Sequence, residues 1–230
     1  MIKLSIIIPV YNEEKTIFQI LNKIKNSKKE NYLQEVLVVN DCSSDNTLKI
    51  LEENSNLYDL LINNSKNEGK GFAIKKGLEK ATGQYIIFQD ADLEYDPIEF
   101  SNFIKMFVQF DADLVIGSRM KFKNYSRSHN ILNLLGNKMI TYSFNILNNC
   151  TFSDIYSCYI AFKKDLLNPS ELKTNGFEQQ AEILSKIIKK SKKNYEIPID
   201  YNGRTSEEGK KIKWYHIFSV VYQIIKNKFI

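Results

Sequence analysis

Cysteine, histidine and long apolar runs are all scarce in this chain, and each shortage removes a class of answers. Cys42, Cys150 and Cys158 are odd in number and show no Cys-x-x-Cys spacing, which speaks against a disulfide framework or a paired redox motif. His129 and His216 are the only histidines, so with the scattered cysteines there is no ligand set for zinc. Reduced thiols are expected. No stretch of about 18 uninterrupted apolar residues occurs, so no membrane-spanning helix is expected. The amino terminus, Met1-Ile-Lys-Leu-Ser-Ile-Ile-Ile-Pro9, lacks a basic region ahead of a cleavable apolar segment and reads as a strand that begins at once. The expected location is the cytoplasm, or the cytoplasmic face of a membrane as a peripheral protein.

A length of 230 residues with 43% hydrophobic content suits one α/β domain with a real core. The net charge of +5 is mildly basic, and nucleic acid is not an expected partner. Lysines crowd residues 186–193 and 210–228; the ordinary reading of such a run is a solvated helix face.

Apolar runs alternate with amphipathic segments through the first half. Strands are expected at Leu4–Val10, Glu35–Asn40, Tyr58–Asn63, Gln84–Gln89 and Ala112–Gly117. Helices are expected at Glu14–Asn26, Ser44–Asn54, Gly71–Ala81 and Pro97–Phe110. This rhythm marks a mostly parallel sheet covered by helices. Beyond Arg119 a helix is expected over Asn130–Asn149, a strand over Tyr156–Lys163, a helix over Phe177–Lys189 and a strand over Tyr195–Tyr201. Pro198 points to an edge position for the last strand. Residues 1–211 read as the main domain and 212–230 as a C-terminal amphipathic helix.

The most informative segment is Gln84-Tyr-Ile-Ile-Phe-Gln-Asp90-Ala91-Asp92-Leu-Glu94. A buried strand ends in two carboxylates one residue apart, which a strand directs to one face. At the carboxyl end of a parallel strand that face opens on the crevice where such sheets bind ligands. Two close carboxylates call for a cation, and a hard divalent ion that also holds a diphosphate answers the need. A helix N-cap before Pro97 is the competing reading. Other strand ends carry Tyr11-Asn12-Glu13, Asp41 and Ser118-Arg119, so one shared site is expected. Pro9 and Tyr11 offer a rigid turn and an aromatic surface for a base, against an ordinary strand exit. Glu13 and Asp41 can accept ribose hydroxyls or a base N–H; Asp41, with Ser43 and Ser44, equally suits the start of the next helix. Gly69 and Gly71 permit close backbone approach to phosphate, with Lys70 adding charge.

In order along the chain, these strings resemble the family 2 glycosyltransferases of the GT-A fold, and within them the dolichol-phosphate mannose synthase-like branch. The resemblance covers residues 5 to about 214. It rests on Ile6-Ile-Ile-Pro-Val-Tyr-Asn-Glu-Glu14, Glu35-Val-Leu-Val-Val-Asn-Asp41-Cys-Ser-Ser-Asp45-Asn-Thr47, Asn67-Glu-Gly-Lys-Gly71 and Asp90-Ala-Asp92. Later elements are Gly117-Ser-Arg119, Asp154-Ile-Tyr-Ser-Cys158-Tyr and Arg204-Thr-Ser-Glu-Glu-Gly-Lys210-Lys211. It implies inverting transfer of a sugar from a UDP- or GDP-linked donor. Pro9, Tyr11, Glu13, Asp41, Lys70, Asp90 and Ala91 would bind that donor. Asp90 and Asp92 would hold Mg²⁺ or Mn²⁺, with Glu94, where relatives often have glutamine, as a third or water-mediated ligand. Arg119, Arg204 and Lys210, with Asp92, form the expected catalytic set, and Arg127 is a further candidate phosphate clamp.

A hydroxyl acceptor needs a general base, and Asp154 and Glu178 are the candidates on the acceptor side. A polyprenyl phosphate brings its own anionic oxygen. The cationic residues favour that acceptor; a saccharide hydroxyl in cell-surface glycan assembly is the alternative, and a non-catalytic nucleotide-sugar-binding module a remoter one. The segment from Lys210 mixes Trp214, Tyr215, Phe218, Tyr222 and Phe229 with basic residues. It fits a helix lying in a bilayer interface, or a terminal helix packed on the sheet.

Overall fold

The computed structural model describes residues 1–28, 31–121, 124, 131–203 and 216–229. Seven strands are described: β1 (Ile2–Val10), β2 (Tyr32–Asn40), β3 (Leu60–Asn63), β4 (Tyr85–Phe88), β5 (Leu114–Ser118), β6 (Ile160–Lys163) and β7 (Asn194–Pro198). They form one sheet in the order β3-β2-β1-β4-β6-β5-β7. All neighbours are parallel except the two pairs made by β6. The α/β class expected from the alternation is what the chain adopts, and β7 with its Pro198 lies at a sheet edge.

Leu4, Ile6, Ile7 and Ile8 of β1 are fully buried, the mark of a strand covered on both faces. The covering helices are α1 (Ile17–Asn26), α2 (Thr47–Glu53), α3 (Lys70–Lys80), α4 (Phe100–Phe110), α5 (Ile131–Asn148), α6 (Gln179–Ile188) and α7 (His216–Phe229). In α1 the buried residues are Ile17, Ile20, Leu21 and Ile24, and in α4 they are Phe100, Phe103, Ile104 and Phe107. Both sets recur at i, i+3, i+4 and i+7, so each helix lays one apolar stripe on the sheet. The helix α7 packs against α5 and α6, with Val220 and Ile224 buried.

The chain runs β1, β2, β3 toward one edge, then α3 carries it back across β1 to β4. The sheet order reverses between β1 and β4, the place where an α/β sheet opens a ligand crevice beyond its carboxyl ends.

A polar knot at the opposite, amino-terminal side ties three segments together. Glu35 of β2, opposite Ser5 in register, accepts hydrogen bonds from Lys3 Nζ at 2.8 Å, Ser5 Oγ, and Thr82 through both its hydroxyl and its N–H. Burial alone would raise the Glu35 pKa, but these donors hold it down at about 2. A depressed carboxylate stabilises the fold above its ordinary pKa of 4.5, and that contribution is lost as pH falls toward about 2. Glu35→Gln is therefore expected to lower stability by about 1–3 kcal/mol at pH 7. Denaturant unfolding at pH 7 and pH 3 checks this: the deficit shrinks at the lower pH, and a constant deficit would contradict the ionic origin.

Candidate active site

The loops leaving β1 and β2 are stitched to each other before any ligand arrives. Asn12 and Cys42, just past the two strand ends, both adopt positive φ, at 53° and 59°, which turns the chain sharply across the strand ends. Asn12 Oδ1 accepts from Ser44 N at 2.8 Å, and Asn12 N donates to Ser43 Oγ at 3.0 Å. Glu13 N donates to Thr47 Oγ1 at 2.9 Å, and Glu14 accepts from Asn46 N at 3.0 Å. Ser43 and Ser44 thus serve the neighbouring loop, while Asp45 Oδ1 accepts from Thr47 N at the start of α2.

Asp41 does not cap α2 either. Its buried carboxylate accepts from Asn64 Nδ2 at 2.7 Å, Glu68 N at 3.1 Å and Gly69 N at 2.7 Å. Those bonds fix the glycine-containing turn into α3. Gly69 has φ 98°, and a β-carbon at either Gly69 or Gly71 would collide with the Asn175 backbone. Gly71 N in fact donates to Asn175 O at 2.7 Å. The expected reason for these glycines was approach of phosphate; the structure adds a close approach by the 172–176 loop. Glu182 of α6 anchors that loop by accepting from Lys173 N and Thr174 N.

Together these elements enclose a cavity of about 400 Å³. Ten of the residues expected at the site line it: Pro9, Tyr11, Glu13, Asp41, Lys70, Asp90, Ala91, Asp92, Glu94 and Arg119. Asp154 and Glu178 are not among its lining residues. Arg127, Arg204 and Lys210 lie outside the described residues.

Lys70, the first residue of α3, places its ammonium 2.5 Å from Asp90 Oδ1. Burial works against that charge, and the attraction of Asp90 outweighs it and raises the lysine pKa. Asp92 is nearly buried, and its Oδ1 accepts from Glu94 N at 3.0 Å. The acidic pair does not cap the turn at Pro97, because Asp96 does so by accepting from Ile98 N. Glu94, expected as a third or water-mediated ligand, lines the cavity, and its Oε2 accepts from Tyr201 OH at 2.8 Å. Among the described residues no three Asp, Glu, His or Cys side chains gather into a metal cluster. Asp90 and Asp92 present the hard oxygen donors that Mg²⁺ or Mn²⁺ prefers. Cys158 sits in the same wall, and burial followed by the nearby Asp90 charge keeps its thiol protonated.

A second charged pair borders the same cavity through Arg119. Arg119 binds Asp154 through Nε to Oδ2 at 2.7 Å and Nη2 to Oδ1 at 2.9 Å. Asp154, with no exposed surface, also accepts from Arg119 N, Asn137 Nδ2 and Tyr156 N. Burial opposes ionisation of both partners, yet each charge holds the other, so the Asp154 pKa falls and that of Arg119 rises. Asp154, expected as a candidate base, is paired with Arg119 and does not line the cavity. The guanidinium also lies over the Tyr201 ring, 5.1 Å from its centroid.

Tyr201 and Tyr95, both lining the cavity with ring centroids 5.1 Å apart, are absent from the residues singled out by sequence. A signal existed for Tyr201. It follows the end of β7, and β7 runs parallel to β5, so it belongs to the same row of strand ends as Arg119.

The chain matches the model for glycosyl transferase family 2 over residues 5–169, and it belongs to that family. A low-salt glycan biosynthesis hexosyltransferase of Haloferax volcanii is 29% identical, over 89% of this chain and 49% of that protein. A dolichol-phosphate mannosyltransferase of Pyrococcus furiosus is 29% identical, over 97% of this chain and 64% of that protein. An uncharacterized protein of Methanocaldococcus jannaschii is 30% identical, with 97% and 98% covered. The chain therefore spans about half to two thirds of the length of the Haloferax and Pyrococcus relatives. Among solved structures, glucosyl-3-phosphoglycerate synthase from Mycobacterium tuberculosis in complex with Mn²⁺, UDP-glucose and phosphoglyceric acid gives a TM-score of 0.71. It is 15% identical, over 100% of this chain and 80% of that one. TarS of S. aureus gives 0.65 at 20% identity, over 99% and 43%. These likenesses establish the GT-A type of α/β fold.

Asp154→Asn is expected to destabilise the protein by about 3 kcal/mol, since it leaves Arg119 buried without its counter-charge. Thermal unfolding measures the loss. The shape of the pH–rate profile should stay unchanged, whereas loss of one of its limbs would identify Asp154 as a general base after all.

Proposed function

We propose that this chain transfers a sugar, with inversion, from a nucleotide-sugar donor to a polyprenyl phosphate, with a divalent metal at Asp90 and Asp92. The observation that carries the reading is the cavity beyond the strand ends, where an acidic pair, the Lys70 ammonium and the paired Arg119 share one wall system. Acidic and cationic groups so placed suit a metal-bound diphosphate at one end and an anionic acceptor at the other.

Each residue has a defined task. Tyr11 and Pro9 border the cavity at the exit of β1, where an aromatic face supports a base. Asp41 is committed to loop amides, so its part is to hold the turn before α3 in shape. Lys70 is attached to that turn, and its side chain can pass from Asp90 to a diphosphate oxygen. Asp90 and Asp92 would hold the dication, which would supply Lewis-acid stabilisation of the departing diphosphate. Arg119, held rigid by Asp154, stabilises negative charge on the acceptor side at no reorganisation cost.

The same geometry supports this choice of acceptor. Asp154 is occupied by Arg119 and Asn137, and Glu94 accepts from Tyr201. A nucleophile that is already anionic fits this arrangement better than a hydroxyl awaiting deprotonation. Two relatives support it by their printed names, the Pyrococcus dolichol-phosphate mannosyltransferase and an undecaprenyl-phosphate 4-deoxy-4-formamido-L-arabinose transferase of Proteus mirabilis, 35% identical over 60% of this chain. Mn²⁺ with UDP-glucose in the mycobacterial neighbour supports the donor and metal classes.

Incubation with UDP- or GDP-sugars, Mn²⁺ and a polyprenyl phosphate should give an acid-labile, lipid-linked sugar. Label passing only to a soluble saccharide would put the hydroxyl-acceptor reading first. Asp92→Asn is expected to cut turnover by about 10²–10³-fold with its melting temperature preserved, and full metal-independent activity in that variant would remove the mechanism. Lys70→Met is expected to weaken nucleoside diphosphate binding while tightening Mn²⁺ binding to the donor-free protein by roughly tenfold, because a competing charge is gone. Calorimetric titrations with each ligand measure both.

A further inference from the structure

Exposed apolar side chains are concentrated on two helices that touch. Among the described residues with large exposed hydrophobic side chains, six belong to α5 and four to α7, and these helices pack on each other. On α5, Ile131, Leu135, Met139, Tyr142 and Ile146 are all more than half exposed. Their spacing of three to four residues makes one row along the whole helix, opposite the buried Gly136, Ile140 and Phe144. On α7, Phe218, Tyr222, Ile225 and Phe229 form a second exposed row at the same spacing, opposite the buried Val220 and Ile224. A soluble helix keeps its outer face polar, and a monomer rarely exposes so continuous an apolar area without a use for it.

The charges indicate what covers the face. The two helices contain Lys138, Lys226 and Lys228 and not one acidic residue, in a chain with 27 Asp and Glu. Lys210, Lys211 and Lys213 precede α7 in sequence. Apolar rows with tyrosines and a surround of lysine match the interface of an anionic bilayer. A protein partner of mixed charge would leave the missing acids unexplained.

We infer that the outer faces of α5 and α7 together dock this chain on an anionic lipid surface. This rests on the reading that the acceptor is lipid-borne, and it names how that acceptor is met. The inner side of α5 reaches the cavity through one network: Asn137 Nδ2 donates to Asp154 Oδ1 at 2.9 Å, and Asp154 holds Arg119. The helix that carries one exposed row is thereby joined, through Asp154, to the cation that would receive a lipid phosphate. No described helix is long and apolar enough to cross the bilayer, so docking of this kind, on the described residues, works from the surface.

The test is co-flotation of the full chain with phosphatidylcholine vesicles, with and without phosphatidylglycerol, beside the double variants Leu135→Glu/Met139→Glu and Tyr222→Glu/Phe229→Ser. Docking predicts partition onto the anionic vesicles that each double variant weakens more than tenfold, with melting temperature and nucleotide binding unchanged. A short, water-soluble isoprenyl phosphate should be glycosylated equally by wild type and variants, whereas vesicle-borne acceptor should be used well only by wild type. Equal flotation of all three proteins, or no flotation of any, overturns the inference. So does a dimer in vesicle-free solution that the same variants dissolve, which would make the face a contact between copies. If flotation behaves as expected but no isoprenyl phosphate of either length is accepted, the docking face stands and the acceptor reading falls.

Discussion

Two carboxylates one residue apart repel each other, and a fold that keeps Asp90 and Asp92 at the end of β4 must bring positive charge to them. Lys70 meets that demand in the structure. The requirement propagates outward, because a lysine can stand there only if α3 starts at the right place. Asp41 secures that start by binding Gly69 N, and the backbone of Asn175 closes over Gly69 and Gly71 so tightly that no side chain fits at either position. Strands β2 and β4, the helix α3 and the loop before α6 are in this way committed to a single electrostatic problem.

The sheet supplies a counterpart on its other half. The strand β6 is antiparallel to both its neighbours, while β5 and β7 keep the direction of β4, so their ends open on the same side. Arg119 follows β5, and Glu196 of β7 accepts from Ser153 N and Asp154 N, which sets the carboxylate that aims the guanidinium. One cavity is thus lined by an acidic pair with its neighbouring ammonium and by a guanidinium whose carboxylate partner lies buried behind it. Both stand charged and neutralised before a ligand arrives, and Arg119, fixed by its carboxylate partner, is already aimed, the condition for electrostatic stabilisation without reorganisation at that centre.

Much of this was legible in the sequence, for identifiable reasons. Buried strands declare themselves by uninterrupted apolar runs, so β1, β2, β4 and β5 fell where the pattern put them. Boundaries drifted where polar residues serve tertiary needs: α1 was expected from Glu14 but begins at Ile17, since Glu13 and Glu14 are engaged with the β2 exit loop. The strand expected from Tyr156 begins only at Ile160, because Tyr156 N is held by Asp154 and its hydroxyl reaches Phe177 O. The residues expected at the site from strand ends do line one cavity, whereas pairings with distant partners left no trace in the sequence. No local pattern tells that Asp154 pairs with Arg119 across 35 positions, or that Asn175 covers Gly71. Likewise the apolar row of α7 is visible in sequence, but its neighbour on α5 becomes part of the same surface only through packing.

The central claim is that the acidic pair grips a dication which in turn grips a diphosphate. Electron paramagnetic resonance of Mn²⁺ with a ¹⁷O-labelled nucleoside diphosphate on this protein addresses that claim without depending on the sugar or the acceptor. The account predicts broadened Mn²⁺ lines from directly coordinated phosphate oxygen, lost when Asp90 is replaced by asparagine. Lines that stay sharp with labelled nucleotide bound would contradict it.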